Sequence, residues 1–333
     1  MKLRVAITTL ALAAGIAASP VLAQGDPKVY AEGLTNPRNL SFDSAGMLYV
    51  ADAGNGGPQM TPDDTPFGAS GSILSVAADG KLTTVVNGLI SYREGNPLSA
   101  ADVQVTDTSI WVLLGETSDF TIPFTHALVE LDKATGRVKT YVDLLTPELE
   151  LDPDGNPNKQ SNPTDFVVAA DGTIYIANAG CNCLMSWTKA DGVKIVVAWP
   201  HKTDNPVPTA LALGADGDLY VGFLTGFPFP KEGSRVERWS GGALKTTYTG
   251  LTAVTGLLSA ADGTLYAVEF GVFEQGKGWG PGRVVKVAES GLTPVMENLP
   301  SPYGIAQAPD GTIVVSTGST GGADGKILVV PAN

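Results

Sequence analysis

Carboxylates and aromatic rings carry most of the chemistry this sequence can offer. Histidine occurs twice, at His126 and His201, and cysteine twice, at Cys181 and Cys183. Two histidines leave a Ser-His-Asp relay few ways to assemble. No G-x-S-x-G elbow, H-E-x-x-H pair or phosphate-binding glycine loop is present. Asp52, Asp102, Asp165, Asn178 and Glu269 instead recur at corresponding places along the chain. Gathered at one point, four carboxylates and an amide would offer oxygen ligands suited to Ca2+ or another divalent cation. Crowded carboxylates also raise one another's pKa, which would make a general base. The same side chains have an ordinary use, because loop Asp and Asn commonly serve their own backbone. Pairing with Arg38 and Arg93 is a further structural role open to them.

Aromatic side chains form the second set. Phe223, Phe227, Phe229, Phe270, Phe273 and Trp279 crowd into two short stretches of the chain, and Tyr303 and Arg38 occupy corresponding places in two others. Aromatics beside a polar centre suit an apolar or aromatic ligand. Each ring could equally serve only to pack its own loop, so the pocket is expected of the group rather than of any one member.

These residues share a place only if the chain repeats, and it does. An apolar pair, a turn ending in glycine (Asp-Gly in four copies, Ala45-Gly46 in the first) and an apolar run, aromatic at its centre in all but the last, recur at residues 40–50, 166–176, 211–221, 257–267 and 305–315, with a shorter copy at 103–112. The anchoring glycines Gly172, Gly217, Gly263 and Gly311 lie 45, 46 and 48 residues apart, and the 126 residues from Gly46 to Gly172 hold two copies with insertions. Periods of this size suit four-stranded propeller blades. Asp-Gly supplies the positive φ of a tight hairpin, and short, continuously apolar runs suit strands covered on both faces. The pattern predicts an all-β, six-bladed β-propeller formed by residues 24–333 as a single domain. Residues 28–34 read as a fourth strand and 326–331 as a third strand, so the N-terminal strand is expected to pair with the C-terminal blade and close the ring. Aligned on the repeat, Asp52, Asn178, Phe223 and Glu269 end second strands. Asp102 and Asp165 precede innermost runs, and Arg38 and Tyr303 sit one place earlier. All are predicted on the face around the channel mouth.

Residues 1–23 read as an export signal: Lys2 and Arg4, an apolar run of about 14 residues, then Val21-Leu22-Ala23 ahead of Gln24. The run is shorter than the ~20 residues needed to span a bilayer. Cleavage after Ala23 and a secreted or periplasmic location are expected. The net charge of −13 makes phosphate backbones poor partners, so nucleic acid is not expected, nor is membrane insertion. A monomer with a small-molecule or protein ligand is the expected state. Cys181 and Cys183, one residue apart, leave a local disulfide and a pair of free thiols equally open. Residues 152–158 place oxygen side chains at alternate positions, but the glycine falls at position four rather than six and no Glu occupies position twelve. That spacing reads as an exposed turn rather than a calcium loop.

Residues 219–230 (LYVGFLTGFPFP), followed by Ser234-Arg-Val236, resemble the ScyD/ScyE family of exported propellers, as does 265–270 (LYAVEF) leading to 282–286. The resemblance spans the mature chain and implies a secreted, NHL/TolB-like six-bladed propeller, in some organisms linked to clusters for a sunscreen pigment. It implies no established catalytic mechanism. An acidic residue would be expected where Phe223 stands. A gluconolactonase-type enzyme would carry Glu ahead of the first innermost strand, where residues 35–38 read Thr-Asn-Pro-Arg. The leading expectation is a binding propeller rather than an enzyme. The alternative is a metal-dependent lactonase or esterase-like hydrolase using Asp52, Asp102, Asp165, Asn178 and Glu269.

Overall fold

A computed structural model of the chain describes residues 27–331, apart from 62–63, 95, 118 and 202–204. The expected leader, residues 1–23, lies outside the described residues. The repeat folds as six blades. Their innermost strands are Pro37–Phe42, Ala100–Val105, Pro163–Val168, Pro208–Leu213, Val254–Ser259 and Ile305–Gln307. Consecutive innermost strands pack side by side around the axis, and the sixth packs on the first. Blade 6 takes its outermost strand, Val29–Leu34, from the start of the domain. It pairs antiparallel with Gly325–Val329, Val29 opposite Leu328 and Leu34 opposite Gly325. Closure by the two ends of the domain is therefore observed.

Six apolar clusters account for the stacking, one at each junction between blades. Tyr49, Ile73, Val103 and Val129 join blades 1 and 2. Leu34, Val50, Val314 and Ile327 join blade 6 to blade 1. A strand covered on both faces must be apolar on both faces, which is why the repeat reads as continuous rather than alternating hydrophobic runs.

The turn between the first two strands departs from expectation in one respect. Gly46, Gly172, Gly217, Gly263 and Gly311 take φ between 82° and 91°, but the residue before each does not. Where that residue is Asp it caps the turn instead: Asp171, Asp262 and Asp310 accept the N–H two residues on, each at 2.9 Å. A type I turn followed by a left-handed glycine needs only one positive φ.

The insertions lie in the first half. Blade 1 extends its outer hairpin to Pro66–Val76 and Leu82–Glu94 and adds the short strands Gln59–Met60 and Asn96–Leu98. A one-turn helix, Thr146–Leu151, stands in the link from blade 2 to blade 3 and is the one α-helix among the described residues. None of their helices is long and apolar enough to cross a membrane.

Candidate functional site

A shared irregularity shapes the channel mouth. In blades 2 to 5 the pairing of the two inner strands slips at one place, between Ala100 and Asp102, Pro163 and Asp165, Pro208 and Ala210, and Val254 and Gly256. A bulge re-aims the side chain it carries. The bulged residues Ala101, Thr164 and Thr209, with Thr255, line a cavity of about 280 Å³, and Arg38 and Tyr303 complete its floor from blades 1 and 6. The Arg38 guanidinium lies 4.6 Å from the centroid of the Tyr303 ring, a cation–π contact between two buried side chains.

The wall is aromatic. Phe270 follows the second strand of blade 5, Trp279 comes from the small hairpin Phe273–Glu274 with Gly278–Trp279, and Phe229 comes from the blade 4 loop. The Trp279 ring sits 4.8 Å from Phe229, 4.9 Å from Phe270 and 5.3 Å from Phe273. Of these, Phe229, Phe270 and Trp279 face the cavity, together with Leu98, Val207 and Leu224, while Glu116 and Asn162 add polar atoms at the rim. Asn162 donates its Nδ2 to Glu116 Oε1 at 3.0 Å.

Two expected pocket rings lie elsewhere. Phe227 is 68% exposed and covers Phe229 and Phe273 from outside, 6.0 Å from each. Phe223 is fully buried between blades 3 and 4, edge-on to Trp199 at 5.0 Å. The Arg235 guanidinium stacks on the Phe223 ring at 3.9 Å. At the corresponding place in blade 5, Arg283 forms an ion pair with Glu269. The ring thus stands where blade 5 has a carboxylate, and Arg235, stacked on it, takes its carboxylate from Glu237 at 2.7 Å instead.

The carboxylates do not gather as expected, and the reason is their backbone bonding. Asp52, Asn178 and Glu269 do occupy equivalent positions, but each turns to the segment leading into its own blade. Asp52 Oδ1 accepts the Thr35 N–H at 2.8 Å, Asn178 Oδ1 accepts the Asn162 N–H at 2.7 Å, and Glu269 Oε1 accepts the Thr252 N–H at 2.5 Å. They staple loops, the ordinary use of such residues. Burial pushes the Asp52 carboxyl up to about 7, offset in part by the Thr35 N–H.

Asp102 and Asp165 do come together. They lie one residue below the mouth floor and line a second cavity of about 180 Å³ inside the channel. Each also latches its blade to the next: Asp102 Oδ2 accepts the Phe166 N–H at 3.2 Å, and Asp165 Oδ2 accepts the Leu211 N–H at 2.7 Å. The two carboxyls also perturb each other. Burial and then the charge of Asp165 drive Asp102 far above the usual carboxylate range, and burial brings Asp165 to about 7. Two buried carboxyls in contact hold one proton between them near neutrality.

The grouping of at least three acidic, His or Cys ligands found among the described residues is Glu148, Asp152 and Asp154. Asp154, expected in an exposed turn, is 4% exposed. Nothing in the spacing of residues 152–158 reveals this, because Glu148 belongs to the preceding helix. Cys181 and Cys183 are disulfide-bonded and buried. His126 is structural: burial lowers its pKa, Nδ1 meets the Ser161 carbonyl at 2.5 Å, and Nε2 accepts the Thr117 N–H at 3.2 Å.

The chain is similar to known proteins chiefly in its fold. No family model matches it. A pyrroloquinoline quinone-dependent sugar dehydrogenase of Hypocrea jecorina is 37% identical over 89 residues, which are 26% of this chain and 20% of that protein. The matched part is thus about a fifth of the relative's length. A gluconolactonase from Xanthomonas campestris superposes over 91% of this chain and 89% of its own, with TM-score 0.57 and 14% identity. A calcium-binding protein, regucalcin, from Agrobacterium tumefaciens does so over 92% and 95%, with TM-score 0.57 and 12% identity. The likeness is one of fold. At such identities the six-bladed architecture is shared, and activity must be argued from the site.

Proposed function

We propose that this chain is an exported propeller of the ScyD/ScyE type that binds a small aromatic molecule at its channel mouth. One observation carries the reading: three rings from two blades, Phe229, Phe270 and Trp279, form a wall over a floor whose charged group is the Arg38 guanidinium stacked on Tyr303. Rings held by one another lose little freedom when a ligand ring joins them, and a cation in an apolar pocket favours an anionic or carbonyl substituent on that ligand. An aromatic carboxylate or phenolic ketone meets both conditions. The N-terminal basic and apolar segments support export, and so does the Cys181–Cys183 disulfide, since such bonds persist in oxidising compartments. Calorimetric titration with a panel of aromatic carboxylic acids and phenols tests the reading. Binding by the wild type that is lost in both Trp279→Ala and Arg38→Met supports it. Binding of no panel member, or equal binding by both variants, refutes it.

The shared proton of Asp102 and Asp165 favours a second reading, a lactonase or esterase-like hydrolase. A carboxylate titrating near 7 is poised for proton transfer. The pair sits beneath the floor, however, where a ligand resting on Thr164 and Thr209 does not reach it directly. Turnover of a lactone or ester that disappears in Asp165→Asn would favour this reading over simple binding.

A further inference from the structure

We propose that Glu148, Asp152 and Asp154 together bind one hard divalent cation, calcium by preference, in the link between blades 2 and 3. The site is separate from the mouth pocket and does not depend on what binds there. One oxygen from each carboxylate lies within 4.8 Å of the others. Glu148 is fully buried, and neither of its oxygens has a hydrogen-bond partner; Asp152 Oδ1 is likewise buried and unpartnered. The Gln160 N–H approaches Glu148 without the geometry of a full hydrogen bond.

Glu148 is enclosed beside the carboxylates of Asp152 and Asp154. Lys159 is the cation that faces the group, and its ammonium is engaged by the Leu149 carbonyl at 2.7 Å. A buried carboxylate beside two others needs either a proton or a cation. A single proton bridges at most two oxygens. Three are orphaned here, and one cation answers all three. An all-carboxylate set on an irregular segment fits calcium, which accepts six to eight oxygens in flexible geometry, better than magnesium or a softer metal.

Asp154 shows how such an ion would act on the rest of the molecule. Its Oδ1 accepts the Asn156 N–H at 2.9 Å and its Oδ2 accepts Asn182 Nδ2 at 2.7 Å. Asn182 Oδ1 in turn accepts the N–H of Val207, a residue of the mouth wall, at 2.8 Å. Bonds of this kind orient a ligand for its metal. They also tie the blade 2–3 link to the wall of the pocket.

The test uses purified protein stripped with a chelator, then titrated with calcium chloride by calorimetry and melted with and without the ion. The expected result is one ion per chain and a melting temperature that rises with calcium. Glu148→Gln and Asp152→Asn should each bind calcium about tenfold or more weakly. In chelator, Glu148→Gln should melt no lower than the wild type, because it removes repulsion without changing shape. If Glu148→Gln does not fold, Asp152→Asn carries the comparison. No binding at millimolar calcium by the wild type would overturn the proposal and leave Glu148 as a buried neutral acid. Binding left undiminished in both variants would also overturn it, by placing the ion elsewhere.

Discussion

Replacing Asp52 by Asn should stabilise the protein above neutrality and do little or nothing for it in mild acid. Asp52 is 6% exposed and titrates near 7 in the folded chain, against an ordinary value of 3.8. Its folded pKa is raised, so between these two values the folded chain holds a proton that the unfolded chain has released. Stability therefore falls as pH rises through this window. From pH 5 to pH 8 the loss from this one group is about 2–3 kcal/mol. An amide cannot ionise, and blade 3 shows that it can do the same work. There Asn178 accepts the Asn162 N–H through Oδ1 and donates Nδ2 to the Ser161 hydroxyl at 2.8 Å. A new NH2 left without an acceptor in blade 1 would cost about 1–3 kcal/mol. The absolute change at one pH mixes these effects, but the difference between two pH values isolates the charge. Urea unfolding of wild type and Asp52→Asn at pH 5 and pH 8 measures it. The variant should gain about 2–3 kcal/mol on the wild type between the two conditions, on the order of 1 M in midpoint. Parallel pH dependence of the two proteins would refute the reasoning, since it would mean that Asp52 titrates normally.

Three further outcomes follow from the packing. Glu237 Oε2 accepts both indole N–H groups of Trp199 and Trp239, at 3.0 and 3.1 Å, and Oε1 pairs with Arg235. Glu237→Ala should cost about 2–4 kcal/mol in chemical denaturation, with a smaller loss in Glu237→Gln, which keeps an acceptor. Gly256→Ala places a methyl 2.4 Å from the carbonyl of Tyr303, just ahead of the neighbouring inner strand, and should lower stability by about 1–3 kcal/mol. Trp279→Ala should weaken aromatic-ligand binding while shifting the melting temperature only slightly, because its half-buried ring packs on a surface wall and not between blades.

The blades were legible because each is specified locally. The turn glycine and the apolar runs on either side of it recur in sequence, and both are short-range requirements of a hairpin that must be covered on two faces. Ring closure was legible for the same reason, since residues 28–34 and 326–331 carry the strand pattern that each lacks a neighbour for. Equivalent positions were also read correctly: Asp52, Asn178 and Glu269 do share one place in three blades. What they do there was not legible, because backbone N–H groups are invisible in a residue pattern. Each carboxylate or amide satisfies an amide of its own blade, and this keeps it out of a common cluster. The bulge that sends Thr164 into the mouth and Asp165 beneath it depends on the pairing register of two strands. Position 223 shows the same limit: the missing acid was plain in sequence, but Arg235 stacking on the ring required coordinates. Glu148 and Asp154 meet only because the helix and the following turn fold back on each other. The sequence by itself thus determined the blades, their number and the closure of the ring, all consequences of a local pattern repeated six times. Tertiary structure alone decided which polar atoms face one another, because that depends on where backbone hydrogen bonds are already made.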